Sequence, residues 1–180
     1  GYSQFAKVNG DFLIKKPKDL TSKQAMILGT AGLTALQCAF TTKLAREELL
    51  LGEKVENVLV TGASGGVGSI AVMILNKLGC NVTAVTSKES NNEYLKSIGA
   101  KSITKSSDLD KEPRPLDKGI WDGAVDTVGG NILSNVLPHV KENGIVAAVG
   151  NASGIKLNTT VMPFIIRGVK LWGIDSVHTS

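Results

Sequence analysis

A chain of 180 residues that is 42% hydrophobic and 4% aromatic carries enough Val, Ile, Leu and Ala for one full core, which excludes a disordered chain. A net charge of +4 spread over that length suits anionic ligands and is by itself no nucleic-acid signature. Its two cysteines, Cys38 and Cys80, lie far apart with no Cys-x-x-Cys or Cys/His cluster, which argues against a zinc site in this piece and for reduced thiols in a cytoplasmic setting.

Residues 1–20 read as extended, with Phe12-Leu13-Ile14 running into Lys15-Lys16-Pro17-Lys18. Thr21 or Ser22 is placed to cap a helix. The apolar stretch from Ala25 to Leu44 predicts one or two helices, interrupted near Gly29 or Gly32. No apolar run reaches membrane-spanning length, and no signal peptide is visible. Residues 45–56 are charged and amphipathic and lead into a strand at Asn57–Thr61. Strand and helix then alternate: a helix at Gly66–Leu78, a strand at Asn81–Thr86, and a helix opened by the capping-box spacing of Ser90-Asn91-Asn92-Glu93 and closed near Gly99. Lys101–Thr104 predicts a short third strand, and residues 105–119, with Pro113 and Pro115, a loop or weak helix. Trp121–Asp126 predicts a fourth strand, Asn131–Val140 a helix, Gly144–Val149 a fifth strand and Val169–Ile174 a sixth. The expected fold class is therefore α/β, a doubly wound parallel six-stranded sheet of the Rossmann type. A start at Gly1 and an abrupt end at Ser180 mark the chain as part of a longer protein.

The stretch Val58-Leu59-Val60-Thr61-Gly62-Ala63-Ser64-Gly65-Gly66-Val67-Gly68 carries the chemistry. A β-branched strand enters a glycine-dense turn that opens a helix, the order by which such a sheet holds a dinucleotide pyrophosphate. Glycines let backbone amides approach the phosphates, although Ala63 stands where the fingerprint usually has its first glycine. About twenty residues on, at the end of the second strand, lie Thr86, Ser87 and Lys88, where an Asp or Glu would bind the ribose 2′-hydroxyl of NAD. Two hydroxyls and a lysine suit the 2′-phosphate of NADP instead, with Glu89 as a group able to point back toward the ribose. Ser106, after the third strand, stands at the adenine edge. Thr127 and Val128, Asn151 and Ser176 follow the fourth, fifth and sixth strands, where ligands bind in open α/β sheets. Asp126, closing an apolar strand, is expected to hydrogen-bond structurally. His139 and His178 read as surface or turn residues, and Trp121 and Trp172 as packing.

The turn also fits the TGxxxGxG pattern of short-chain dehydrogenases, which need a Tyr-x-x-x-Lys pair. Here the tyrosines are Tyr2 and Tyr94, followed four residues on by Ala6 and Ile98, so that pair is absent. Gly29-Thr30-Ala31-Gly32-Leu33-Thr34-Ala35, the glycine turn, Leu95-Lys96-Ser97-Ile98-Gly99-Ala100, and the stretch Thr159 to Val169 with Gly173-Ile174-Asp175-Ser176-Val177 together resemble the medium-chain dehydrogenase/reductase superfamily. The terminal stretch resembles its zinc-independent quinone oxidoreductase and acryloyl-CoA reductase branch. This resemblance implies a GroES-like substrate domain, with residues 1–20 as its tail and residues 21–180 as the dinucleotide-binding domain. It implies NADPH as cofactor, Ser64, Gly65, Gly66, Val67 and Gly68 on the pyrophosphate, and Thr86, Ser87 and Lys88 on the 2′-phosphate. Lys88 stands where the family often has arginine, keeping the charge without the planar fork, and Ser106 stands near where a basic residue can flank the adenine. Asn151, Ile165 and Ser176 would line the nicotinamide end. The implied activity is hydride transfer to an electron-poor double bond of a quinone or an α,β-unsaturated acyl-CoA, with no metal site and no membrane. A homodimer through the sixth strand is expected. Alternatives at this stage are a nucleotide-gated binding protein with RNA affinity and a zinc-dependent alcohol dehydrogenase whose ligands lie outside the sequence.

Overall fold

The computed structural model describes residues 3–49 and 52–177; the end of the chain from His178 and the tyrosine at position 2 lie outside them. Six parallel strands form one sheet: β1 (Asn57–Val60), β2 (Asn81–Thr86), β3 (Ala100–Lys105), β4 (Trp121–Asp126), β5 (Val140–Ala148) and β6 (Lys170–Gly173). Their order across the sheet is β3-β2-β1-β4-β5-β6. All pairs are parallel, with Val58 beside Val82 on one flank of β1 and beside Gly123 on the other. The strand order reverses at β1, so a crevice opens between the carboxyl ends of β1 and β4.

Alternation within each strand sends side chains to two opposite cores. Val58, Val60, Val82, Ala84 and Val125 meet α1 (Ser22–Phe40), α3 (Gly66–Lys77) and α4 (Asn92–Ser97) on one face. Leu59, Val85, Ala124 and Val146 meet α5 (Ser106–Leu109) and α6 (Gly130–Val136) on the other. Both faces of the central strands are covered, so β1 and β4 are buried almost throughout, while the edge strand β3 is largely exposed.

Thr21 caps α1 through a capping box with Gln24, as its position predicts. The chain leaves helical geometry at Gly29 (φ 14°, ψ −138°), which divides α1 where the sequence expects a break. Beyond Phe40 the coil widens to a π-helical segment, Thr41–Ala45, and continues as α2 (Arg46–Leu49). The helical run Ser22–Leu49, broken in backbone geometry at Gly29, is long and apolar enough, by length and composition, to cross a membrane. This corrects the expectation that no such run exists: the apolar stretch is helical over enough residues to meet that length. In this fold its later part lies on α3, with Thr34, Ala35, Cys38 and Ala39 buried. Burial pushes the Cys38 thiol up to about 12 and raises Cys80 as well, and both cysteines are free.

Two further expectations are corrected. The helix expected over Asn131–Val140 ends at Val136, passes through a 3-10 turn at Leu137–His139 containing Pro138, and yields Val140 to β5. The polar Lys141-Glu142-Asn143-Gly144 stretch, turn-like in sequence, is an irregularity inside β5, with Asn143 at φ 57°. β4 pairs on both sides of it, Trp121 with Val140 and Gly123 with Ile145. The capping box at Ser90 and Glu93 is also absent. A 3-10 turn occupies Glu89–Asn91, and Asn91 precedes α4 without a side-chain cap.

Glu47 on α2 fastens this helix to the approach to β1. Its Oε1 accepts from Lys43 Nζ at 2.6 Å and from the Val55 amide at 2.9 Å. Burial pulls its pKa up, but the Lys43 ammonium and the Val55 amide outweigh it and hold the carboxyl below its ordinary 4.5. The folded state thus binds this proton less readily than the unfolded chain, so the stabilisation is present above pH 4.5 and lost as pH falls through the lower native value. Glu47→Gln is expected to cost about 1 kcal/mol at neutral pH, and the difference should vanish in urea titrations carried to acid.

Candidate functional site

β1 ends at Val60, and the chain turns through Gly62 at φ 57°, a conformation glycine adopts without strain. The Gly65 amide donates to Gly62 O at 2.9 Å, closing the turn, and α3 begins at Gly66. Ala63 at the first fingerprint position is harmless because the left-handed residue is Gly62. Ala63 is instead fully buried, its amide donating to Val85 O at 3.0 Å. Gly68 sits against the turn so closely that a Cβ there would lie 2.3 Å from Gly62 O and 2.8 Å from Ala63 Cα. The first intrahelical bond is Ser69 N to Gly65 O at 2.9 Å, and no side chain caps the helix. The Gly66, Val67 and Gly68 amides therefore precede the first closed helical turn, at the positive end of the helix dipole. With Ser64, Gly65 and Gly66 exposed, this geometry fits a phosphate.

A buried network ties the turn to β4. Thr61 Oγ1 donates to Asp126 Oδ1 at 2.7 Å and accepts from the Thr127 amide at 3.0 Å. Thr127 Oγ1 donates to Thr61 O at 3.0 Å, and the Gly129 amide donates to Asp126 Oδ2 at 2.8 Å. Asp126 is fully buried, and that burial pushes its carboxyl above the usual 3.8 against the bonds from Thr61, Gly129 and Val128. Its expected structural role is thus the one the bonds describe. Thr127 stands behind Gly62 as part of this floor.

Of the residues singled out in sequence, Ser64, Thr86, Ser87, Ser106 and Val128 line one cavity of about 320 Å³ beside Gly62. Thr86, Ser87 and Ser106 also line a neighbouring cavity of about 390 Å³. Asn151 lies with Gly150, Gly173, Ile174 and Asp175 around a third, of about 530 Å³, at the ends of β5 and β6. Ser176 follows that cavity's wall and is half-buried. Ile165, on α7 (Met162–Arg167), is exposed. Lys88 is exposed and lies on none of these three cavities, its amide donating to Thr86 Oγ1 at 3.2 Å. The structure adds Ile132, Ala152 and Ser153 to the first cavity and Lys105 to the second, where Glu89, singled out in sequence near the ribose, also stands. Ser153 reaches it because the loop after β5 folds back, its Oγ donating to Val128 O and Gly129 O. No local sequence signal marks that return. Lys105, expected in the loop after a third strand ending at Thr104, is instead the last residue of β3.

His139 packs on Trp121, with ring centroids 5.7 Å apart, and its Nδ1 lies 2.8 Å from Asn135 O, consistent with a structural residue. Among the described residues no group of three or more His, Cys, Asp or Glu is placed to hold a metal ion.

Known proteins share this arrangement. An acrylyl-CoA reductase of Ruegeria pomeroyi is 47% identical over 98% of the chain, which covers 53% of that protein. A Bacillus subtilis protein named as a quinone oxidoreductase is 45% identical over 99% of the chain and 53% of its own length. Its crystal structure with NAD bound superposes with a TM-score of 0.85 at 42% identity, over 97% of this chain and 52% of that one. An Escherichia coli K-12 protein crystallised with bound NADPH gives 0.85 at 48% identity, over 97% and 52%. The chain thus spans about half the length of these relatives. The profile of the family described as zinc-binding dehydrogenase matches residues 66–179, and the chain belongs to that family, within the medium-chain dehydrogenase/reductase superfamily.

Proposed function

We propose that the chain is the nucleotide-binding half of a cytoplasmic NADPH-dependent reductase that delivers hydride to an electron-poor double bond. The acceptor is the unsaturated acyl group of a thioester such as acryloyl-CoA, with a quinone as the second reading, favoured by the Bacillus subtilis relative. The observation that carries the reading is the uncapped α3 N-terminus at the strand-order reversal, joined to a hydroxyl-lined cavity. The dinucleotide supplies the hydride when bound. Ser64, Gly65, Gly66 and Val67 hold its pyrophosphate, Gly68 permits the tight turn, and Thr86 and Ser87 with a neighbouring lysine take the ribose phosphate. Ser106 edges the adenine, while Thr127, Val128, Asn151, Ile165 and Ser176 belong to the nicotinamide side. The reaction is assigned no metal, because the acceptor's own carbonyl takes up the developing charge. Its proton comes from solvent or from a substrate domain beyond this chain.

Residues 1–20 are assigned to the tail of that GroES-like domain. Phe5, Phe12 and Ile14 are 90%, 80% and 95% exposed, apolar groups that residues 21–180 leave uncovered. Calorimetric titration of the chain with NADPH and NADH tests the reading: binding of neither sinks it. Reduction assays on the full-length protein with acryloyl-CoA and a quinone panel then separate the two acceptors.

β6 is one of the sheet's two edges, with Trp172 half-exposed on it. Such an edge invites pairing with a second copy, and a homodimer through β6 is part of the proposal. Trp172→Pro, which removes an edge donor, is expected to convert a dimer to a monomer in sedimentation velocity. A monomeric parent would remove this pairing.

A further inference from the structure

The cavity of about 390 Å³ joins the carboxyl ends of β2 and β3. Thr86 and Ser87 come from one strand end, Lys105, Ser106 and Ser107 from the other. Parallel pairing sets Thr86 directly beside Lys105, about one strand spacing away. Glu89, Asn92 and Ile103 complete the wall, and Glu89 Oε1 lies 2.5 Å from Lys105 Nζ. Thr86, Ser87 and Ser106 line both this cavity and the one under the glycine turn, so the two adjoin at those residues. An adenosine ribose held at the end of β2 would thus have one carboxylate and one ammonium beside its 2′ position, already paired with each other. Lys88, next in sequence to these hydroxyls, lies on neither cavity.

Resting on the dinucleotide reading above, we propose that Glu89 and Lys105 form an exchangeable ion pair that sets the choice between phosphorylated and unphosphorylated ribose, with Lys105 rather than Lys88 as the main cation for the 2′-phosphate. Both side chains are exposed, 71% for Glu89 and 63% for Lys105, and an exposed ion pair is weak enough to trade partners. A 2′-phosphate carries nearly two charges and three acceptor oxygens, so it outcompetes a single carboxylate for Lys105. Glu89 then turns to solvent, since it repels the phosphate. With NADH the pair stays intact, and Glu89 accepts from the 2′-hydroxyl as an acidic residue does at this position in NAD sites. The chain accordingly accepts both nucleotides, with a preference that rises when Glu89 is neutralised.

The test is calorimetric titration of the 180-residue chain and its Lys105→Met, Glu89→Gln and Lys88→Met variants with NADPH and NADH, folding being checked by circular dichroism. All three sites are exposed, so the variants should fold. Lys105→Met is expected to weaken NADPH about tenfold or more, as loss of a charge-assisted contact does, and to leave NADH within about twofold. Glu89→Gln should tighten NADPH and weaken NADH, each severalfold. Loss of NADPH affinity in Lys88→Met with Lys105→Met unchanged would overturn the assignment, as would an equal loss of both nucleotides in Lys105→Met. A parent chain that binds neither nucleotide would overturn the dinucleotide reading itself, and a parent that binds NADPH without dependence on Lys105 would overturn only this inference.

Discussion

Gly68→Ala should lose both stability and nucleotide affinity, and it should do so for a purely local reason. The added Cβ would stand 2.3 Å from Gly62 O, 2.8 Å from Ala63 Cα and 2.9 Å from Gly62 C. All three are backbone atoms of a turn held from the other side by Thr127 and Val128, so no side-chain rotation relieves the contact. Relief requires α3 to move away from β1, which takes the amides of its first turn out of register with a phosphate. Overpacking of this kind costs about 1–3 kcal/mol, and contact with backbone puts this case near 3 kcal/mol in urea unfolding. Gly66→Ala is the control. Its Cβ would meet only Ala31 Cβ, at 3.5 Å, and alanine favours helix over glycine by up to about 1 kcal/mol. Its stability should hold or rise. Equal destabilisation by both substitutions would show that the helix N-terminus, rather than the close approach at Gly68, sets the cost.

The second large effect is expected at Asp126. Asp126→Ala leaves the Thr61 hydroxyl and the Gly129 amide without their carboxylate acceptor in a fully buried position. Each unsatisfied buried group costs about 1–3 kcal/mol, so the loss should reach about 3–4 kcal/mol. Because Thr61 also accepts from Thr127, the damage should spread to the turn beneath the glycines and weaken nucleotide binding. Asp126→Asn keeps one acceptor and should cost roughly half as much. The two proteins should also differ in pH dependence. Burial raises the native carboxyl above 3.8, so the folded state holds the proton more tightly than the unfolded chain. Above 3.8, and until the native value is passed, the wild type should therefore lose stability relative to Asp126→Asn as pH rises. Urea midpoints of the pair across the acid range measure this. A difference that moves the other way would mean that hydrogen bonding, not burial, governs Asp126.

Much of the architecture is legible in the sequence. β-branched runs at Asn57, Asn81 and Trp121 gave strands because both sheet faces must be apolar, and the pattern alone placed their starts correctly. The glycine turn was legible because its requirement is local: only glycine fits at the left-handed Gly62 and at the crowded Gly68. Thr21 and Gly29 likewise announced the start and the break of α1 through capping and backbone chemistry within a few residues. Where the reading failed, the cause was a partner distant in sequence. Val140 looked helical, yet Trp121 recruits it into β5 and the polar stretch after it is looped out of the ladder. The expected capping box at Ser90 gave way to a tight turn whose Glu89 reaches Lys105 across to β3.

Element alternation, the α/β class and the glycine turn are legible in the sequence alone, since periodicity and glycine stereochemistry act over a few residues. Only the tertiary structure decided what surrounds that turn. Strand order set the crevice at β1 and β4, the β2–β3 register put Lys105 beside Thr86, and the returning loop after β5 brought in Ser153. Those juxtapositions depend on which strands pair and in what register, a choice made by packing two cores at once rather than by any one segment.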